Sequence, residues 1–240
     1  EEYIDPELQF YAEQYQVDQY GNPIFRNGNM LPLGISFVQE TTVFRDFGPV
    51  AGNTVKISFD GSPGFGGSWL SRRTLDLDAR HYVRLASNGV FAMRFKGFKS
   101  WGRNPDFMYF GGNSEMRGYE YLQFIGQNGF FANAELRFPL IAAMLTPLGV
   151  LGGLRGVLFA NIGGAAFTGQ DYTFGKTGSE IYRPIIGFEV IDFLGNTAPV
   201  YGPPIQVSGL RLVDGRASYG IGLESFMLGF PMHFDWSWKT

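Results

Sequence analysis

The feature that most constrains this chain is a two-residue alternation of apolar and polar side chains. Within residues 73–85, Leu75 and Leu77 alternate with Asp76 and Asp78. Because successive side chains of a β-strand point to opposite faces, this pattern predicts a strand with one apolar and one charged face. The same alternation recurs in three other segments, at 53–60, 132–138 and 232–239. The sequence therefore predicts an all-β fold built from strands with two unlike faces.

The composition indicates what covers the apolar face of these strands. Aromatic residues make up 17% of the 240 residues, with 24 Phe among them, and charged residues also make up only 17%, against about 25% in soluble domains. The longest apolar runs are too short for a transmembrane helix, which needs roughly 18 residues or more. A transmembrane β-barrel has a mean hydropathy near zero instead, and the value here is -0.05. We therefore predict strands that face lipid.

Charge and cysteine content narrow the functional classes. The net charge of -3, from 22 acidic and 19 basic residues without a long run of either sign, argues against a nucleic-acid partner. The chain has no Cys, which excludes disulfides and thiolate metal sites. His81 and His233 lack an acidic or serine motif at the spacing of a metal site or a catalytic triad. We expect no metal, no cofactor and no enzymatic activity.

The connections between the predicted strands differ in length. Asn88-Gly89 predicts a tight hairpin, and residues 229–231 predict another short turn. Residues 103–127 and 165–214 are long connections rich in Gly, Pro, Asn and Tyr. Short turns at one end and long loops at the other are typical of an outer-membrane barrel. A soluble sandwich is the alternative, but its outward face would be polar.

The alternation and the turns give a strand count. About nine strands are predicted, at 7–18, 31–47, 53–61, 70–86, 89–102, 128–139, 153–164, 215–228 and 231–239. Bacterial barrels close with an even number of strands, so either further strands exist or the first segment is not a strand, and residues 1–30 stay open between strand and loop. The residues predicted to face lipid are Leu75, Leu77, Phe91, Met93, Phe95, Leu136, Phe138 and Phe234.

The stretch FGGNSEMRGYEY, which ends at Tyr121, carries a specific resemblance. It resembles the GG-x-x-x-x-RG-[YF] loop signature of the BamA-like outer-membrane assembly factors, the bacterial surface antigen barrel family. Blocks similar to that family's follow in its order at 129–140, 156–164 and 217–236, and another precedes the motif at 44–61. The ordered set covers most of residues 40–239 and is far more specific than the loop motif alone.

The resemblance implies an antiparallel transmembrane β-barrel of about sixteen strands. The motif lies in an external loop, residues 103–127, that folds back into the lumen, while 165–214 is a long external loop. Counted from the motif, residues 1–240 correspond to the later, C-terminal part of such a barrel, with about nine strands present. The first six or seven strands, the closing strand and any periplasmic domain lie outside this stretch.

The resemblance also implies a role for Arg117. In the family this arginine meets one acid on the strand that follows the loop, which corresponds to Glu135, and a second acid at the position of Asn161. Because Asn is neutral, we expect a weaker or rerouted network, with Asp76 or Asp78 as further partners. The remaining motif residues are Gly111, Gly112, Gly118 and Tyr119. Glycine permits close backbone approach, and tyrosine supplies a ring with a polar tip.

The functional expectation follows from the same resemblance. An integral barrel in an outer membrane of the Gram-negative type would take part in the insertion, assembly or translocation of proteins. Its partners would be the lipid bilayer, client or passenger proteins, and further subunits or missing parts of the same chain. The alternative is a membrane-anchoring or exporting barrel carried by a larger protein with a hydrolase or propeller domain.

Overall fold

A computed structural model describes residues 28–45, 48–85, 88–146, 149–190, 197–227 and 230–240. These residues contain fifteen β-strands and no α-helix. The strands are β1 (Leu33–Glu40), β2 (Val43–Arg45), β3 (Gly48–Ser62), β4 (Arg72–Arg84), β5 (Val90–Gly102), β6 (Met108–Phe110), β7 (Phe124–Gly126), β8 (Asn128–Thr146), β9 (Gly149–Ala166), β10 (Gly175–Tyr182), β11 (Ile185–Val190), β12 (Thr197–Tyr201), β13 (Ile205–Leu212), β14 (Arg216–Met227) and β15 (Phe230–Lys239). The predicted strand at 7–18 and most of the open segment 1–30 lie outside the described residues.

Nine of these strands form one antiparallel sheet. Its order is β1-β3-β4-β5-β8-β9-β14-β15, with β2 paired to β3. Strands that are consecutive in this order are joined by short turns at one end and by long connections at the other. The all-β, antiparallel architecture predicted from the alternation is confirmed. Within the described residues the sheet remains open, with β1 and β15 at its two edges.

The turn before β5 shows how the sequence sets a strand boundary. Asn88 has a φ of 59°, in the left-handed region that Asn tolerates better than most non-glycine residues. The Leu85 amide donates a hydrogen bond of 2.8 Å to the Gly89 carbonyl. Pairing resumes at once, with Arg84 opposite Val90. This local geometry agrees with the tight hairpin predicted at Asn88-Gly89.

The strand register separates the sheet residues into two faces. Leu75 lies opposite Phe59 and Lys99, and Phe91 lies opposite Leu136. Opposed residues of an antiparallel pair share a face. All the residues predicted to contact lipid consequently lie together, on what we call the outward face. The opposite one, the inward face, carries the charged residues of the alternation.

Within the described residues of the unit that holds the sheet, no other element covers the outward face. Leu75, Phe95 and Phe234 leave 41%, 41% and 51% of their surface exposed. A water-soluble sheet would bury its apolar face against a second layer. Exposure of large apolar side chains along a whole sheet face fits a sheet whose outward face contacts lipid.

The two long connections contain strands that the sequence did not reveal. Residues 103–127 include the hairpin β6–β7, and the connection predicted as a loop at 165–214 contains the two-stranded ribbons β10–β13 and β11–β12. Residues 170–216 form a compact unit of their own, separate from the unit that holds the sheet. Among the described residues, no helix is long and apolar enough to cross a membrane.

Candidate functional site

The loop that joins β5 to β8, residues 103–127, is anchored by an aromatic cluster. Phe110 stacks on Phe124 with ring centroids 4.9 Å apart and contacts Phe131 of β8 at 5.3 Å. Phe131 lies on the inward face, because it alternates with the outward residue Phe130. The buried members of the cluster are Met108, Phe110, Met116, Tyr119 and Phe131. The loop therefore packs against the inward face of the sheet.

Glycines set the path of the chain through the motif. Gly118 has a φ of 90°, a conformation that residues with a Cβ rarely adopt. A Cβ at Gly118 would lie 2.7 Å from the Ser237 hydroxyl oxygen of β15. Gly111 has a φ of 142°, and its amide donates to the Glu115 carboxylate at 2.9 Å. Gly118 therefore lets the motif lie against β15, and Gly111 allows the turn within the motif to form.

Arg117 projects from this turn into a group of charged residues on the inward face. Its Nη2 lies 2.7 Å from Oε1 of Glu135, and its Nε lies 3.2 Å from Oδ2 of Asp235. The guanidinium carbon sits 4.5 Å from the ring centroid of Phe159. The three charged side chains are only 12–13% exposed. One guanidinium thus connects β8, β9 and β15.

Glu135 is shared between two arginines. Its Oε2 accepts hydrogen bonds from Nε and Nη2 of Arg137 at 2.8 and 2.6 Å, while Oε1 faces Arg117. With Asp235, the group contains two guanidinium groups and two carboxylates, so its formal charges cancel. Buried charges are tolerated when they are paired in this way. The group is stable only while each member keeps its partners.

Asn161 takes a different position from the one expected. It lies opposite Asn133 in the β8–β9 register and accepts a hydrogen bond of 2.7 Å from the Asn133 amide. Its own amide donates to the Ser218 hydroxyl at 3.0 Å, and that hydroxyl donates to the Arg117 carbonyl at 2.6 Å. Asn161 therefore supports the backbone of Arg117 and not its guanidinium. The neutral side chain selects a neutral partner.

Asp235 supplies the second carboxylate, which sequence reasoning missed. The alternation of residues 232–239 contained this information, because it places Asp235 on the charged face of the strand and Phe234 on the other face. The other expected partners are engaged elsewhere or lie apart. Asp78 forms ion pairs with Arg80 at 2.9 Å and Arg94 at 2.8 Å. Within the described residues, neither Asp78 nor Asp76 forms an ion pair with Arg117.

Tyr119 fastens the end of the motif to β14. Its hydroxyl donates to the Ala217 carbonyl at 2.8 Å, and its ring packs edge-on against Phe124 at 5.1 Å. The Lys239 ammonium of β15 lies 5.0 Å from the Tyr119 ring centroid. Residues 117–119 of the motif thus contact four strands, which are β8, β9, β14 and β15.

The residues of this site can hold the loop in position, but they are not arranged to transfer a proton. An arginine stays protonated at any physiological pH and cannot act as a general acid or base. Both carboxylates are held by guanidinium groups, and Phe159 closes one side of Arg117. The arrangement fixes a loop against a wall, and the group formed by Arg117, Glu135, Asp235 and Arg137 is called the arginine brace below.

An antiparallel sheet with an apolar outward face, a charged inward face and a loop held against that inward face defines an outer-membrane β-barrel protein. The family model described as the Omp85 superfamily domain matches residues 36–240. The chain belongs to the Omp85 superfamily, which confirms the BamA-like family predicted from the motif. Members are β-barrel proteins of the outer membrane that work with client proteins and partner subunits. The comparison with curated proteins gave no match.

Proposed function

We propose that this barrel acts in the insertion, assembly or translocation of proteins at an outer membrane of the Gram-negative type. The observation that carries the proposal is the arginine brace, which ties the motif loop to β8 and β15 through one guanidinium. In a barrel that handles other proteins, the wall must keep its shape while a client is present. A loop with fixed ion pairs on two strands serves that purpose.

The proposed role of the motif residues is conformational. Arg117, Glu135 and Asp235 hold the loop, Asn161 supports the loop backbone through Ser218, and Tyr119 fixes the loop to β14. Because β14 and β15 both contact the motif, movement of these strands and release of the loop are coupled. The functional site is therefore a mechanical one, and its chemistry is the pairing of charges in a poorly hydrated place.

The substrates that we propose are β-strands of client proteins. Proteins that accept extended segments do so by pairing them with an exposed sheet edge, where main-chain hydrogen bonds give affinity. A brace that reaches β15 controls the position of a strand at one edge of the described sheet. We propose that client recognition depends on this position and that no covalent step is involved, so that the protein is not an enzyme.

Depletion of the full-length protein in its own cells tests this function. We expect the amounts of other folded, heat-modifiable outer-membrane barrels to fall, because those barrels are the clients. If the other barrels stay at normal amounts and only a domain fused to this chain fails to reach the surface, the barrel is an anchor or exporter and the assembly proposal is wrong. The control is the parallel depletion of an outer-membrane protein that has no role in barrel assembly.

A further inference from the structure

Charge is segregated between the two faces of the sheet. Lys56, Asp78, Arg94, Glu135 and Arg137 lie on the inward face by register, and Asp235 lies there because it pairs with Arg117. In the described parts of β1, β3, β4, β5, β8, β9 and β15, and leaving His81 aside, the only charged residues on the outward face are Arg73 and Lys99. Both are cations, and no carboxylate shares that face with them.

Arg73 and Lys99 are neighbours on adjacent strands. Arg73 lies opposite Trp101, and Lys99 lies opposite Leu75, so the two cations occupy diagonal positions, with a separation of about 7–8 Å at the backbone. Both lie close to the long connections, since β4 begins at Arg72 and β5 ends at Gly102. The pair therefore marks the long-loop end of the lipid-facing surface.

Packing on the inward face keeps these two side chains pointing outward. Thr74 and Ser100, the residues that alternate with them, are buried and share a hydrogen bond of 3.1 Å. The Ser100 hydroxyl also accepts a hydrogen bond of 2.8 Å from the backbone amide of Asp106 in the loop. Arg73 and Lys99 cannot turn to the inward face without breaking this packing.

The two cations have no carboxylate partner in the part of the chain that the structure describes. Lys99 and Arg73 are both exposed. Trp101, which lies opposite Arg73 and two residues after Lys99 on β5, packs beside Phe59 with ring centroids 6.2 Å apart. An indole next to two cations at the end of an apolar strand face is the arrangement found at the boundary between hydrocarbon and headgroups.

We propose that Arg73 and Lys99 form a binding site for the phosphorylated headgroup of an anionic lipid, in the leaflet at the long-loop end of the barrel. A phosphate between the two side chains would receive the guanidinium fork from one side and the ammonium from the other. The acyl chains would lie along Leu75 and along the Phe95 ring, which lies over Gly97. The site is independent of the arginine brace.

The opposite end of the outward face supports the choice of an anionic ligand. There, on the strands compared above, the outward face carries no Lys, Arg, Asp or Glu, and Asn53 hydrogen-bonds to the His81 ring. Those two groups satisfy each other, whereas Arg73 and Lys99 remain open to a partner from the membrane. Charge at one end only is what a headgroup site in one leaflet requires.

The test uses the full-length protein in nanodiscs that contain equal amounts of phosphatidylcholine and phosphatidylglycerol, followed by native mass spectrometry of the lipids that remain bound. We expect the parent protein to retain phosphatidylglycerol preferentially. Arg73→Gln with Lys99→Gln should weaken that preference by about 25-fold at low ionic strength, about fivefold for each cation, and added salt should weaken it in the parent as well.

The control is Lys56→Gln with Lys96→Gln, which removes the same charge from the inward face and should leave the preference unchanged. If the Arg73 and Lys99 double variant does not fold, the single variants are measured, each with an expected fivefold loss. An unchanged preference in the outward variants, or an equal loss in the control, overturns the proposal. If inorganic phosphate removes the preference and itself binds in detergent, the site takes free phosphate and the lipid assignment is wrong.

Discussion

The two long connections of this chain fold in opposite ways. Residues 103–127 bury their large side chains, so that Phe110 and Met116 are fully buried. In residues 170–216, which form ribbons of two strands each, Ile181 and Phe188 are 75% and 69% exposed. Both connections are rich in glycine and aromatic residues. Composition therefore does not decide whether a connection buries its large apolar side chains.

The two connections differ in the partners that their side chains and backbone groups need. Arg117 carries a charge that needs fixed partners once it leaves water, and the aromatic cluster around Phe110 provides the apolar contact that brings it there. The ribbons satisfy their backbone hydrogen bonds by pairing with themselves. Two strands alone bury little apolar surface. A connection becomes a structural part of the wall when it combines a cluster with a paired charge.

The largest expected effect comes from removing the centre of the cluster. Phe110→Ala should destabilise the packed loop by about 3–5 kcal/mol, because a fully buried ring is lost and a cavity remains. Hydrogen exchange of the amides at 108–126, measured by mass spectrometry on the full-length protein, should accelerate by about 100-fold or more. Phe188→Ala in the exposed ribbon should leave exchange at 185–190 within about twofold, since surface substitutions have small effects. Equal responses at the two sites would remove the distinction between the connections.

The next effect concerns the arginine brace. Arg117→Ala should cost on the order of 1–3 kcal/mol in loop stability, because Glu135 and Asp235 lose a partner in a poorly hydrated site. Arg117→Lys should also impair the loop, since an ammonium does not reproduce a planar fork. The control is Arg183→Ala, at an exposed position of the other connection. The measurements are loop hydrogen exchange and complementation of a strain depleted of the protein.

A charge swap separates pairing from simple loss of arginine. Arg117→Glu and Glu135→Arg should each disrupt the loop, and the double variant should recover part of the protection. Recovery will be incomplete because Asp235 and Arg137 then face like charges. Single variants that assemble and exchange like the parent would contradict the brace, and the proposed function would then lose its main support.

The sequence predicted the faces of the sheet better than it predicted the connections. Alternation alone assigned Leu75 and Phe234 to one face and Glu135 to the other, because a period of two has only one interpretation on a strand. It could not identify Asp235 as a partner of Arg117, since the contact depends on the loop crossing the inward face from β8 to β15. Such a path is set by three-dimensional packing, which no local pattern contains.

The ribbons were missed for a related reason. Glycines at 175, 178, 187 and 209 interrupt the alternation in residues 170–216, and a glycine carries no side chain to mark a face. Asn161 was assigned to the guanidinium because its position in the family holds an acid. Its amide instead bonds to Asn133 and Ser218, since neutral groups satisfy each other without desolvating a charge.

An effect of the same order as that of Arg117→Ala is expected at Gly118. Gly118→Ala introduces a Cβ 2.7 Å from the Ser237 hydroxyl and forces a non-glycine residue to a φ of 90°, which should cost about 1–3 kcal/mol. Adding Ser237→Gly should restore the steric part and leave the backbone part. Gly178→Ala is the matched control, because a Cβ there meets nothing within 4 Å. Loop exchange that is unchanged in Gly118→Ala would show that the motif does not approach β15 this closely.

The smallest effect tests one hydrogen bond between the packed loop and β14. Tyr119→Phe removes only the hydroxyl that donates to the Ala217 carbonyl at 2.8 Å, and leaves the ring against Phe124. A bond of this kind contributes about 0.5–1.5 kcal/mol, so amides at 116–120 should exchange about two- to tenfold faster. Tyr201→Phe, at an exposed position of the ribbon, should change nothing measurable. If Tyr119→Phe matches the parent while Phe110→Ala does not, the cluster alone holds the loop, and the contact with β14 carries no coupling between strand and loop.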